Sequence, residues 1–120
     1  MTVGFNHLGQ LGQLGNQMFQ YAITKSVASK LNIPFKIPNH QNVFDDGIGN
    51  RYTIFKLESL INFGFVDTQK YVQEKHFHYD ETIFDMSPQE DFSLWGFFQS
   101  EKYFKDIEND IRDDFKFKDE

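Results

Sequence analysis

Asn16 and Gln17 are two uncharged amides at the end of a run in which Gly9, Gly12 and Gly15 recur at every third residue. Each amide carries donors and an acceptor together, which suits the hydroxyls of a sugar. Glycines without side chains let a phosphate or a sugar ring come close to the backbone. A helix starting here adds unpaired backbone N–H groups and the positive end of its dipole, which favour an anion. The spacing is neither the G-x-G-x-x-G fingerprint nor a P-loop, because no Lys-Ser or Lys-Thr follows. From the residues alone two readings stand level. One is a tight strand-to-helix turn; the other is a loop that holds a phosphate or sugar through Gly12, Gly15, Asn16 and Gln17.

Other side chains with chemical potential are fewer. His7 closes the first apolar run beside this loop; a base or sugar contact is the sharper reading and a partly buried, hydrogen-bonded histidine the favoured one. His76 and His78 lie two apart, with Glu74 and Glu81 nearby, but two histidines without a firm third ligand are weak evidence for metal. Gln99 and Ser100 occupy a second strand-to-helix edge. Ser100 reads as a helix cap before a substrate contact, and Gln99 suits either role. Asp45, Asp46 and Glu74 are carboxylates of a kind that can act as bases, and nothing selects among them. Phe19 and Tyr21 read as core or helix surface, with Tyr21 a minor candidate for stacking on a sugar.

The elements that would position these groups follow from periodicity. Val3 to Leu8 reads as a strand and Gly9 to Gly15 as a loop. From Asn16, a candidate N-cap, Phe19, Ile23, Val27 and Leu31 recur every four residues, with Ala22 and Ala28 beside them and Thr24, Lys25, Ser29 and Lys30 mostly on the other side. Asn32 and Pro34 stop this helix, and "PFKIP" is a second strand. "NHQNVFDDGIGNRY" reads as a loop, "TIFKLESLI" as a short helix, and Lys70 to Glu74 as a strand. "DETIFDMSPQED" reads as a helical turn broken by Pro88. "DFSLWGFFQ" is apolar on both alternating sides, the mark of a central strand covered by helices on each face and running to Gln99. Ser100 then caps a last helix with the stripe Phe104, Ile107, Ile111 and Phe115. The alternation predicts an α/β, Rossmann-like fold with a mostly parallel sheet and flanking helices.

Bulk properties narrow the function classes. A net charge of −6 argues against a broad nucleic-acid footprint. Acid gathers in "KDIENDIRDDFKFKDE", where a solvated helix face is the favoured reading over an interaction tail. The chain has no cysteine, which excludes disulfides and thiolate metal sites and fits a cytoplasmic location. Fifteen phenylalanines supply large apolar area for one core within 120 residues. No run approaches the roughly 18 apolar residues of a membrane span, and the N-terminus lacks the pattern of a signal peptide.

Two segments carry a resemblance. "LGNQMFQYA", Leu14 to Ala22, is similar to the N-terminal "GGLGNQMFQYA" signature of the α-1,2-fucosyltransferases of glycosyltransferase family 11. "GFFQSEKYFKDIENDIRDDFKF", Gly96 to Phe117, resembles the family's "GYFQSEKYF" region and the acidic helix after it. "RYTIFKL" and "EKHFHYDETIFD" resemble the weaker intervening pattern, so the likeness spans nearly the whole chain. Gln13 replaces the family's second glycine. The downstream His-x-Arg-x-Gly-Asp type motif, whose arginine is implicated in holding the donor pyrophosphate, is not in this chain.

The resemblance implies the N-terminal, acceptor-side domain of a two-domain GT-B enzyme, with the donor-binding domain outside residues 1–120. It implies GDP-fucose as donor, a galactose-type acceptor glycan, inversion at the anomeric carbon, no cofactor and no essential metal. The expected location is cytoplasmic, with peripheral association at a membrane as the variant. Expected substrate contacts are Gly12, Gly15, Asn16, Gln17, His7 and Gln99; no catalytic base is selected. The alternative from a different class is a non-catalytic remnant that binds glycan or nucleotide and docks to a partner.

Overall fold

A computed structural model of the chain describes residues 1–8, 14–38, 65–75, 79–86 and 89–114. The expected loop at 39–52, the expected helix at 53–61, Gly9, Gly12, Asp45, Asp46, Arg51, His76, His78, Pro88 and Phe115 lie outside these residues. Within them, strand β1 (Val3–Gly4) precedes helix α1 (Leu14–Leu31) and strand β2 (Phe35–Lys36). Strand β3 (Tyr71–Gln73), a 3₁₀ segment (Glu81–Asp85) and strand β4 (Phe92–Trp95) follow. A second 3₁₀ segment (Glu101–Ile107) leads into helix α2 (Glu108–Asp114).

The four strands form an all-parallel sheet in the order β2-β1-β4-β3. The fold is therefore α/β and Rossmann-like, as the alternation predicts. Val3 lies opposite Phe35 on one side and Phe92 on the other, so β1 and β4 are the two inner strands. Parallel strands cannot be joined by a tight hairpin, and α1 supplies the crossover from β1 to β2. Side chains alternate between faces. Val3, Phe5, Phe92 and Leu94 point into a core completed by Ile23, Val27, Phe98, Tyr103 and Ile111. The opposite face carries Gly4 and Ser93. There Val66 packs so closely that a Cβ on Gly4 would lie 2.3 Å from its Cγ2. Asn6 clips Val66 in place. Its Nδ2 donates to the Val66 carbonyl and its Oδ1 accepts from the Val66 N–H, both at 2.8 Å.

Three boundaries differ from expectation. The first strand ends at Gly4, and Asn6 to Leu8 form a turn closed by the Leu8 N–H donating to the Phe5 carbonyl at 2.9 Å. Helix α1 starts at Leu14, so Asn16 stands inside its first turn and does not cap it. β4 ends at Trp95, not Gln99, because Gly96 at φ +145° and Phe98 at φ +51° turn the chain out of extended geometry.

Helix α1 is also covered more widely than its apolar stripe predicts. Thr24, on the expected solvent side, is fully buried, as are Gln20 and Ser26. For Ser26 the cause is a second neighbour: the 3₁₀ segment at Glu101–Ile107 packs along α1, and Ser26 Oγ donates to the Tyr103 carbonyl at 2.5 Å. Thr24 Oγ1 donates within the helix, to the Gln20 carbonyl at 2.8 Å. At its C-terminus α1 ends as the sequence predicts. Asn32 takes the left-handed conformation at φ +56°, and the Ile33 N–H reaches back to the Ala28 carbonyl at 3.0 Å. That double-back satisfies carbonyls the helix would leave open, and Pro34 prevents its continuation.

The last helix is not continuous. Ser100 caps it as expected, its Oγ accepting from the Lys102 N–H at 3.3 Å, but the first two turns are 3₁₀ and Phe104 is non-helical at φ −124°. Of the stretch after Ser100, α2 is the α-helical part among the described residues. It returns to α1 through Asp114, whose carboxylate accepts from Tyr21 Oη and Lys25 Nζ, each at 2.5 Å. Burial first, then the bonded Asp114 carboxylate, drives the Tyr21 phenol far above its ordinary range.

Candidate functional site

The carboxyl ends of adjacent parallel strands are where ligands bind in sheets of this kind. Here the inner strands β1 and β4 end side by side, and each is followed by a helix start. Two of the sequence-predicted residues meet there. Gln99 Nε2, from the segment after β4, donates to Asn16 Oδ1 in the first turn of α1, 83 residues away in sequence. Neither side chain makes another hydrogen bond among the described residues, so the pair keeps the Asn16 amino group as a donor and the Gln99 carbonyl oxygen as an acceptor. One free donor beside one free acceptor is the complement of a hydroxyl or of an anion with a hydroxyl neighbour. Gln99 is exposed and Asn16 half-buried, so both are open to a ligand.

His7 lies in the turn after β1. Its ring meets Trp95, the last residue of β4, edge-on with centroids 4.5 Å apart and planes at 83°. The other neighbour is Tyr71, 5.6 Å away and 42% exposed. His7 is thus half-buried against aromatic rings, and the trio presents a ring surface of the sort that stacks on the apolar face of a sugar. Gln17 behaves differently from its neighbour. It is 4% exposed and faces protein. Gly15 is in the first turn of α1. Gly12 lies outside the described residues.

The first turn of α1 contains no acidic residue. Its positive end is therefore not neutralised by a side chain of that turn, which leaves it suited to a bound anion.

Sequence reasoning treats Glu74 only as one carboxylate among several. In the fold it follows β3 and fastens the bend after β4. Glu74 Oε1 accepts from the Phe97 N–H at 3.1 Å and Oε2 from the Phe98 N–H at 3.0 Å. Gly96 is required at the start of this bend. Its φ is one that side-chain-bearing residues avoid, and a Cβ there would stand 2.5 Å from Glu74 Cβ. Phe98 is strained by roughly 1–2 kcal/mol at positive φ. The strain is outweighed because its ring is fully buried between Phe5 and Tyr103, at centroid separations of 6.3 and 5.5 Å. Burial of such a ring contributes about 1.5–3 kcal/mol. No signal in the sequence singles out Glu74, because its role depends on β3 lying beside β4 in the sheet.

Behind the bend lies a cavity of about 120 Å³ lined by Val72, Glu74, Ile83, Met86, Phe98 and Tyr103. Burial pushes the Tyr103 phenol up, opposed by the Asp80 N–H that donates to its oxygen at 3.0 Å, while the negative charge of Glu74 adds to the rise. Among the described residues no cluster of three or more His, Asp or Glu has the makings of a metal site, and no helix is long and apolar enough to cross a membrane. Compared with known proteins, the chain matches no family model, no curated protein and no solved structure.

Proposed function

We propose that residues 1–120 are the N-terminal, acceptor-side domain of an α-1,2-fucosyltransferase of the kind that glycosyltransferase family 11 comprises. The reaction is transfer of L-fucose from GDP-fucose to the 2-hydroxyl of a galactose-type acceptor. In it the acceptor oxygen bonds to the anomeric carbon as that carbon's bond to the diphosphate oxygen breaks. The configuration inverts, GDP leaves with the electron pair, and a base takes the hydroxyl proton. One observation carries the reading: the two segments that resemble the family, Leu14 to Ala22 and Gly96 to Phe117, meet through the hydrogen bond between Gln99 and Asn16 at the carboxyl end of the inner strands.

The chemistry requires stabilisation of a negative leaving group and orientation of a hydroxyl. The acid-free first turn of α1 and the Asn16 amino group serve the first. The Gln99 carbonyl and the ring surface of His7, Trp95 and Tyr71 serve the second. The arginine motif of the family is not in this chain, so the isolated 120 residues are expected to release little or no GDP from GDP-fucose. Turnover near that of a full-length family enzyme would refute this.

Binding is the direct test. Titration with GDP-fucose and with lactose, followed by NMR, is expected to move the side-chain amide signals of Asn16 and Gln99 at millimolar ligand, and Asn16→Ala to weaken GDP binding about tenfold. Absence of any shift with either ligand overturns the reading.

A further inference from the structure

We propose that Glu74 is a positioning residue, acting through the bend at Gly96–Phe98 to hold Gln99 against Asn16. This rests on the reading of the Asn16–Gln99 pair as the ligand site.

The argument begins with the backbone. Between Trp95 and Ser100 the chain passes through two residues at positive φ, Gly96 and Phe98, and has left the sheet ladder. Such a segment has no regular hydrogen bonding to fix its course, yet it must deliver Gln99 to a partner on another element. Glu74 supplies what the ladder does not. Its two carboxylate oxygens bind two consecutive N–H groups, those of Phe97 and Phe98. The residue on the far side of these amides is Gln99. Bonds from an ionised carboxylate to backbone N–H groups are among the stronger ones available to a protein.

Glu74 is itself fixed. Its own N–H donates to the Trp95 carbonyl at 2.8 Å, so main chain and side chain of one residue grip both ends of the bend. The bend's other restraints are the Phe98 ring in the core and the Ser100 N–H, which donates to the Phe98 carbonyl at 2.9 Å; neither holds the Phe97 and Phe98 N–H groups that Glu74 binds. Loss of the carboxylate is therefore expected to leave the fold's core contacts in place and to loosen the bend that carries Gln99.

The experiment uses the 120-residue chain with Glu74→Gln, Glu74→Ala and Gln99→Ala. In spectra without ligand, Glu74→Gln, which keeps one acceptor oxygen, is expected to shift the side-chain amide signals of Gln99 and Asn16 toward solvent-exposed values, and Glu74→Ala to shift them further. Unmoved signals in folded Glu74→Gln overturn the proposal. With ligand, Glu74→Gln is expected to weaken lactose binding about tenfold in the wild-type background and to have no further effect in Gln99→Ala, since misplacement of a contact is felt only while the contact exists. An equal loss in both backgrounds overturns it too. If the variants do not fold, hydrogen exchange on the unaltered chain decides: the Phe97 and Phe98 amides must exchange more slowly than exposed loop amides, and free exchange sinks the assignment. Should the wild type bind neither GDP nor lactose, the functional reading fails, while the ligand-free spectra still decide the role of Glu74.

Discussion

The two strand-to-helix junctions at the carboxyl end of the sheet solve the same geometric problem by opposite means. After β4, the chain satisfies itself. Glu74 takes the N–H groups of the bend, Ser100 caps the helix start, and Glu101 places negative charge in its first turn. After β1, the glycine-containing run precedes a helix whose first turn has no acid and whose Asn16 side chain, among the described residues, is bonded to Gln99 alone. A helix start supplied with its own acceptors has little to offer an anion; one without them does. On the proposed reading, the junction after β4 is scaffold that delivers Gln99, and the junction after β1 is where the ligand would sit.

Breaking the scaffold junction is expected to cost most. Gly96→Ala places a Cβ against Glu74 at a forbidden φ and is expected to lower unfolding free energy by about 3 kcal/mol, measured by urea denaturation. Next is the distant anchor of the helix that this junction begins. Tyr21→Phe removes the phenol bonded to Asp114 and is expected to cost about 2 kcal/mol near neutral pH. The same variant tests the sign of the titration. The folded state holds the Tyr21 proton more tightly than the unfolded chain does, so its contribution is complete below the ordinary phenol value of 10.0 and declines above it. Wild-type stability should therefore fall more steeply with alkaline pH than that of Tyr21→Phe.

Removing the cap is a milder break. Ser100→Ala is expected to cost about 1 kcal/mol in the same denaturation assay, whereas Asn16→Ala, which caps nothing, should leave stability within about 0.5 kcal/mol of wild type. The smallest change sharpens the contrast most. Asn16→Asp gives α1 the acid that its first turn lacks and is expected to raise stability by about 0.3–1 kcal/mol while weakening GDP binding. A gain in both stability and affinity would erase the distinction between the junctions.

Much of this arrangement is legible in the sequence. Ile23 and Val27 at helical spacing, Asn32 and Pro34 at the helix end, the strands in "PFKIP" and at Tyr71–Gln73, and the Ser100 cap are decided by local sterics and hydrogen bonding, which a linear reading captures. The burial of Ser26 is not local. It depends on a segment that lies 77 residues beyond Ser26 and whose Tyr103 backbone accepts its hydroxyl. The early end of β4 is likewise invisible to alternation, because "WGFFQ" keeps its apolar pattern through a bend that Gly96, Glu74 and the buried Phe98 ring enforce together. Within the site, Asn16 and Gln99 were readable as amides at two sheet ends; their partnership was not, since it depends on β1 and β4 being neighbours.

That adjacency has a consequence for how the chain acquires its shape. β1 finds β2 early, across a single helix, but its other flank waits for β4, and the Thr2 N–H reaches Asp91 Oδ1 across 89 residues. At about 5–20 residues per second of synthesis, the opening strand stays half-paired for several seconds before its inner neighbour exists. Such distant pairing is intrinsically slow to form. A growing polypeptide of this design carries an unsatisfied strand edge until β4 is made, and yield in expression should respond to chaperone supply more than the size of the finished domain suggests.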